Sequence, residues 1–270
     1  MITVLFRIAL CACALAAAGA TAQTGPASVF IDDLTWTELR DDIVAGKTTV
    51  IVPIGGTEQN GPWMALGKHN VRARALSEKI ARALGNALVA PVISYVPEGQ
   101  VDPPTQHMRF PGTITIPAGT FEKTLEYAAR SFQRAGFRDV VFLGDHGGYQ
   151  KNELAVALRL NREWQAQDTR AHAIEEYYRA TETAYVEMLK SRGYNAEEIG
   201  SHAGLADTAL TLALAPSLVR SASLASAGKP TAAQGVYGDP RRATAELGQL
   251  GVDIIVTQTV SAIRKGTTRR

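Results

Sequence analysis

Apolar and polar positions along the chain fall into two alternating patterns. Short aliphatic runs at 48–54 (TTVIVPI), 88–95 and 139–143 (DVVFL) lack polar alternation. They therefore predict strands buried on both faces. Shorter strands are predicted at 113–116 and 170–174. Between them, apolar residues recur at helical spacing over 71–84, 120–135 (ended by Gly136), 151–165 and 208–215. A further helix over 35–45 opens on Thr35 with Glu38 three residues on, the pattern of a capping box. Strands separated by such helices need crossover connections. The prediction is an α/β fold of three layers, αβα, with a mostly parallel central sheet flanked by helices. No repeat or low-complexity linker interrupts the pattern, and too little chain follows the soft stretch at 221–234 to form another domain. One domain over 23–270 is the economical reading.

The first segment departs from this pattern. Arg7 precedes an uncharged run over 8–20, and Ala20-Thr21-Ala22 offers a small-x-small cleavage site. The run falls short of the roughly 20 residues that span a bilayer, so residues 1–22 read as a cleaved signal peptide. Both cysteines, Cys11 and Cys13, leave with it, and any metal must be held by His, Asp, Glu or Asn. The expected location is the periplasm or the exterior, with no membrane association after cleavage. Lys and Arg number 28 against 26 Asp and Glu, a net charge of +2 that gives no reason to expect a nucleic-acid partner.

Ligands of open α/β sheets bind beyond the carboxyl ends of the strands. The loop after the strand at 48–54 carries Glu58, Asn60 and His69, and the loop after 139–143 carries Asp145 and His146 among three glycines. If both strands are parallel, Glu58, His69 and His146 rise from one sheet edge. Two imidazoles and a carboxylate suffice for Zn²⁺ or a similar ion, with a position left for water. A third segment, 201–208, brings His202 and Asp207, the latter equally readable as a helix N-cap or a functional carboxylate. His107 and His172 are assigned to structure or surface. Gly46-Lys47-Thr48 lacks the first glycine of a phosphate-binding loop, and no G-x-S-x-G or H-E-x-x-H occurs.

At these loops the chain resembles the creatininase (creatinine amidohydrolase) family. Its G-x-x-E-Q-H-G-P-H-L-P-L-G-x-D segment corresponds to 55–69, and its N-G-H-G-G-N segment to 144–149. Its H-A-G-x-x-E-T-S segment corresponds to 202–209, and G-V-x-G-D-P-x-x-A-T to 235–244. Phe110-Pro111-Gly112-Thr113-Ile114 resembles a further shared piece. The resemblance implies a metal-dependent hydrolase of amide C–N bonds, a small-molecule substrate and a homo-oligomer. The family's ligands carry over in part. Glu58 and His146 match, Asn60 stands for a histidine, His69 for the bridging aspartate, Gly148 for a glutamate, and Asp207 for another.

A neutral imidazole cannot bridge two cations, so the expectation is one divalent ion per chain. Zn is the first choice, with Mn or Fe as alternatives, held by Glu58, His69 and His146 with Asp207 as a fourth ligand or a water-orienting group. His202 would protonate the leaving nitrogen, and Asn60 would donate to the oxyanion. The rival readings are a lactonase or peptidase with the same site, and a secreted binding protein without catalysis.

Overall fold

Strands β1 (Thr49–Ile54), β2 (Ala87–Val89), β3 (Asp139–Gly144) and β4 (Arg170–Ala173) form one parallel sheet in the order β2-β1-β3-β4. The computed structural model describes residues 28–268, so the signal peptide read at 1–22 lies outside the described residues. The helices are α1 (Trp36–Val44), α2 (Lys68–Leu84), α3 (Ala118–Ala135), α4 (Gln150–Glu163) and α5 (Glu175–Glu182). They continue with α6 (Ala184–Ser191), α7 (Ala196–Ile199), α8 (Leu205–Leu214), α9 (Ser221–Ala225) and α10 (Ala245–Thr267). Among the described residues, no helix is long and apolar enough to cross a membrane.

The unbroken apolar runs serve two cores at once, because successive strand residues point to opposite faces. Val50, Val52 and Ile54 of β1, with Val140 and Phe142 of β3, pack against Phe121 and Leu125 of α3 and Val156 and Leu160 of α4. Ile51, Val141 and Leu143 face the other way, onto Leu76 and Ile80 of α2, Tyr177 of α5 and Ile255 of α10. Each such side chain contributes about 1.5–3 kcal/mol on burial, so both layers are needed to hold the sheet. This is the expected three-layer α/β fold.

Several elements differ from the sequence reading. Residues 113–116 form no strand: Ile114 N–H donates to Thr57 O and Ile116 N–H to Val96 O, isolated bonds to two different loops. β2 stops at Val89, two residues before Pro91, which has no N–H for a ladder. α2 starts at Lys68, placing His69 in its first turn. α10 carries no prediction, because Gly248 and Gly251 weaken its helical signal. Both glycines are contact points: a Cβ at 248 would run into Ala209 O, and one at 251 into the Tyr185 ring.

The strand order places the site. From β1 the chain crosses to α2 on one face, and from β3 to α4 on the other, so the two connections leave the paired strand ends in opposite directions. Ile54 and Gly144 end the strands side by side in register. A crevice opens at such a switch point.

Candidate metal centre

Glu58 is fully buried in the loop after β1, and its two carboxylate oxygens face different surroundings. Oε1 accepts from His69 Nε2 at 2.7 Å and has Lys68 Nζ at 3.9 Å and His202 Nδ1 at 3.6 Å. Oε2 has no aligned donor, yet His107 Nε2 lies at 3.2 Å and His146 Nε2 at 3.5 Å. Burial alone would raise the Glu58 pKa, but the pull of His69, with His146 and Lys68, holds it well below the usual carboxylate range.

Glu98, from the loop after β2, completes this pole. It is 1% exposed, neither of its oxygens has a donor, and Oε2 is 3.9 Å from His146 Nε2. Burial, then the adjacent Glu58 carboxylate, pushes its pKa up to about 9. Without a cation, then, Glu98 keeps its proton at neutral pH. His146 is pushed down to about 4 by burial against the pull of Glu58, and burial lowers His107 as well. Both imidazoles are therefore neutral, as ligation requires. Each accepts a hydrogen bond at Nδ1, from Gly148 N–H and from Gln59 Nε2 respectively, so each carries its proton on Nε2, and neither Nε2–H is aligned on a carboxylate oxygen.

Behind this pole stands an ion-paired wall. His69 Nδ1 donates to Asp145 Oδ2 at 2.6 Å, and Asp145 also accepts from Arg72 Nε and Tyr177 Oη, both at 2.7 Å. Asp207 accepts from Lys68 Nζ at 2.6 Å, Arg72 Nη1 at 2.8 Å and Ala203 N–H at 2.9 Å. Burial would raise Asp207, but Lys68 and Arg72 overcome it and hold the carboxyl well below its ordinary value. A cavity of about 350 Å³ opens over these groups, lined by His107, His146, His202, Lys68, Asp207 and Tyr178 among others.

The structure thus brings Glu58, His69 and His146 together, as the parallel strands require. It treats the remaining candidates differently. Asp207 does not cap α8: Gly204 holds the N-cap, and Asp207 lies in the first turn with both oxygens engaged by cations. Asn60 spends its amide N–H groups on Glu58 O and Ala65 O, leaving none for an oxyanion. His202 donates Nε2–H to Gln59 O, and burial with the Lys68 charge pushes it down to about 3. Such a ring carries no spare proton at neutral pH. His107 is neither structural filler nor surface but faces Glu58, on a turn that Thr113 Oγ1 anchors through His107 O. Its place three residues before Phe110-Pro111-Gly112 was a usable signal. Glu98, in Pro97-Glu98-Gly99, carried none. His172 pairs with Asp139 at 2.9 Å, away from the site.

These residues fit a divalent cation. One ligand atom each from Glu58, Glu98, His107 and His146 lies within 4.8 Å of all the others. Three buried carboxylate oxygens among them lack a donor, a cost that a cation removes. Two nitrogens and two oxygens suit Zn²⁺, Mn²⁺ or Fe²⁺. Loading requires Glu98 to give up its proton and each imidazole to carry its own on Nδ1, so the Gly148 amide and the Gln59 side chain must turn.

Known proteins share this arrangement of chain. The creatininase family profile, described as creatinine amidohydrolase, matches residues 32–263. Creatinine amidohydrolase of Pseudomonas putida is 28% identical over 88% of this chain and 97% of its own length. A mycofactocin precursor peptide peptidase of Mycolicibacterium smegmatis is 27% identical over 74% of this chain and 78% of its own. Among solved structures, a creatinine amidohydrolase (creatininase) superposes with a TM-score of 0.74 at 25% identity, covering 90% of this chain and 100% of that one. A creatininase described with Mn gives 0.73 at 26%, with the same coverage. A creatininase variant of Zn-Zn type gives 0.72 at 26%, covering 90% of this chain and 99% of that one. With a metal-competent cluster at the switch point of the matching fold, the chain belongs to the creatininase family of metal-dependent amidohydrolases.

Proposed function

We propose that this protein hydrolyses a carbon–nitrogen bond, that of a cyclic amide or formamide, in a small molecule outside the cytoplasm. The observation that carries the reading is the donor-free Glu58 Oε2 facing two neutral imidazoles beneath an open cavity. Residues 1–22 support the compartment, the periplasm or exterior, and family membership supports a homo-oligomer.

Glu58 and His146 would hold a single divalent ion, Zn first and Mn or Fe next. When bound, such an ion lowers the pKa of a coordinated water toward about 7 and polarises the substrate carbonyl. The protein's own groups do the rest. His69, held between Asp145 at 2.6 Å and Glu58 at 2.7 Å, is the group placed to pass a proton beside the reacting centre. The Lys68–Asp207–Arg72 bank supplies fixed charge along the cavity without a loose proton. A peptide terminus is the second substrate class, favoured by the likeness to the mycobacterial peptidase.

Metal analysis joined to a substrate panel tests the reading. Purified protein should hold about one ion per chain, and with Zn²⁺, Mn²⁺ or Fe²⁺ it should hydrolyse cyclic amides or formamides in preference to lactones. Glu58→Gln and His146→Ala should abolish both properties. Loaded protein inert on the whole panel, yet binding a panel member as tightly after His146→Ala, would instead establish a binding protein.

A further inference from the structure

Resting on the metal-dependent reading, we infer that the ion's shell is Glu58, Glu98, His107 and His146, and that His69 and Asp207 stand outside it. Two ligands then enter from the single loop after β2.

The geometry separates engaged groups from free ones. Both ring nitrogens of His69 are taken, by Asp145 at 2.6 Å and Glu58 at 2.7 Å. Asp207 has three donors between 2.6 and 2.9 Å. Glu98 is the opposite case: buried, with both oxygens lacking any donor, on a backbone pinned by Thr115 Oγ1 at 2.9 Å. A pocket is kept for its head group. Gly56, at φ +147°, passes so close that a Cβ there would sit 2.7 Å from Glu98 Oε1. His107 is anchored through its carbonyl by Thr113, and its Nε2 lies 3.2 Å from the donor-free Glu58 Oε2. Asn60 and Gly148, which face or adjoin the same space, contribute no donor atom: Asn60 binds backbone, and Gly148 has no side chain. The loop after β2 thus supplies the carboxylate and imidazole donors that positions 60 and 148 do not.

The test measures Zn²⁺ affinity by chelator competition, and ligand type by X-ray absorption, on the full-length mature chain. Far-UV circular dichroism in EDTA first checks that each variant folds. Glu98→Gln keeps the shape of the side chain, and Glu98→Asp is the second variant should glutamine perturb the loop. Glu98→Gln and His107→Ala should each weaken Zn²⁺ at least about 10-fold, the loss that outer-shell changes already produce. His107→Ala should also remove one imidazole from the absorption spectrum, whereas His69→Gln and Asp207→Asn should leave the imidazole number unchanged. Wild-type affinity in Glu98→Gln and Glu98→Asp, or an imidazole lost in His69→Gln, would overturn the shell while leaving the hydrolase reading in place. A wild-type chain that takes up no ion would overturn both.

Discussion

At the scale of single residues, the carboxylate of Glu58 divides the site, one oxygen toward an ion-paired wall and the other toward unpaired donors. Lys68 and Arg72 are almost wholly buried, and Asp207 pairs with both, sharing Arg72 with Asp145 and Lys68 with Glu58. Removing one partner of a buried ion network leaves charge uncompensated, which costs about 3–5 kcal/mol. Asp207→Asn should therefore lower stability by that amount in urea unfolding while metal content stays as in the wild type. A loss of the ion at unchanged stability would contradict the wall assignment. The residue types were legible in the sequence, since histidines and acids among glycines after buried strands are few. Their pairing was not. Whether an aspartate ligates an ion or neutralises an arginine depends on what stands within about 3 Å of it, and residues 135 positions apart decide that here.

At the scale of elements, helix contacts set how closely the outer layer packs over the cavity. α10 lies against α8 because Gly248 has no side chain to meet Ala209 O. Gly248→Ala should destabilise the protein by about 1–3 kcal/mol through overpacking. Gly119→Ala, in α3 with open space around it, should be neutral or stabilise by up to about 1 kcal/mol. Thermal unfolding of the two variants checks the contrast, and equal effects would refute it. The capping box at Thr35 and the αL glycine at 136 formed as the local pattern dictates, because their bonds lie within a few residues. The run at 113–116 misled for the converse reason. Its β-branched residues suit a strand, but no neighbouring strand offers a ladder.

At the scale of the whole molecule, pH acts through buried groups that keep or lose protons on folding. Glu153 of α4 is 2% exposed, its Oε1 has no donor, and burial alone raises its pKa well above 4.5. The folded chain therefore keeps a proton that the unfolded chain releases. This contribution is complete below the unfolded value and is lost as pH rises toward the folded one, at about 1.4 kcal/mol per pH unit. Glu153→Gln should flatten that alkaline decline, measured by urea unfolding between about pH 5 and about pH 8; an unchanged slope would show that the carboxyl is ionised in the fold. The same comparison of local and distant causes divides what the chain itself made readable from what folding added. The order of strands and helices, the parallel sheet and the two loops carrying Glu58, His69 and His146 follow from periodicity, because burial on both faces leaves its mark in consecutive residues. The engagement of His69 and Asp207 and the arrival of Glu98 and His107 at Glu58 came only with tertiary structure. Those contacts join loops without any repeating pattern, and only the packing of two cores against one sheet fixes how far apart the loops stand.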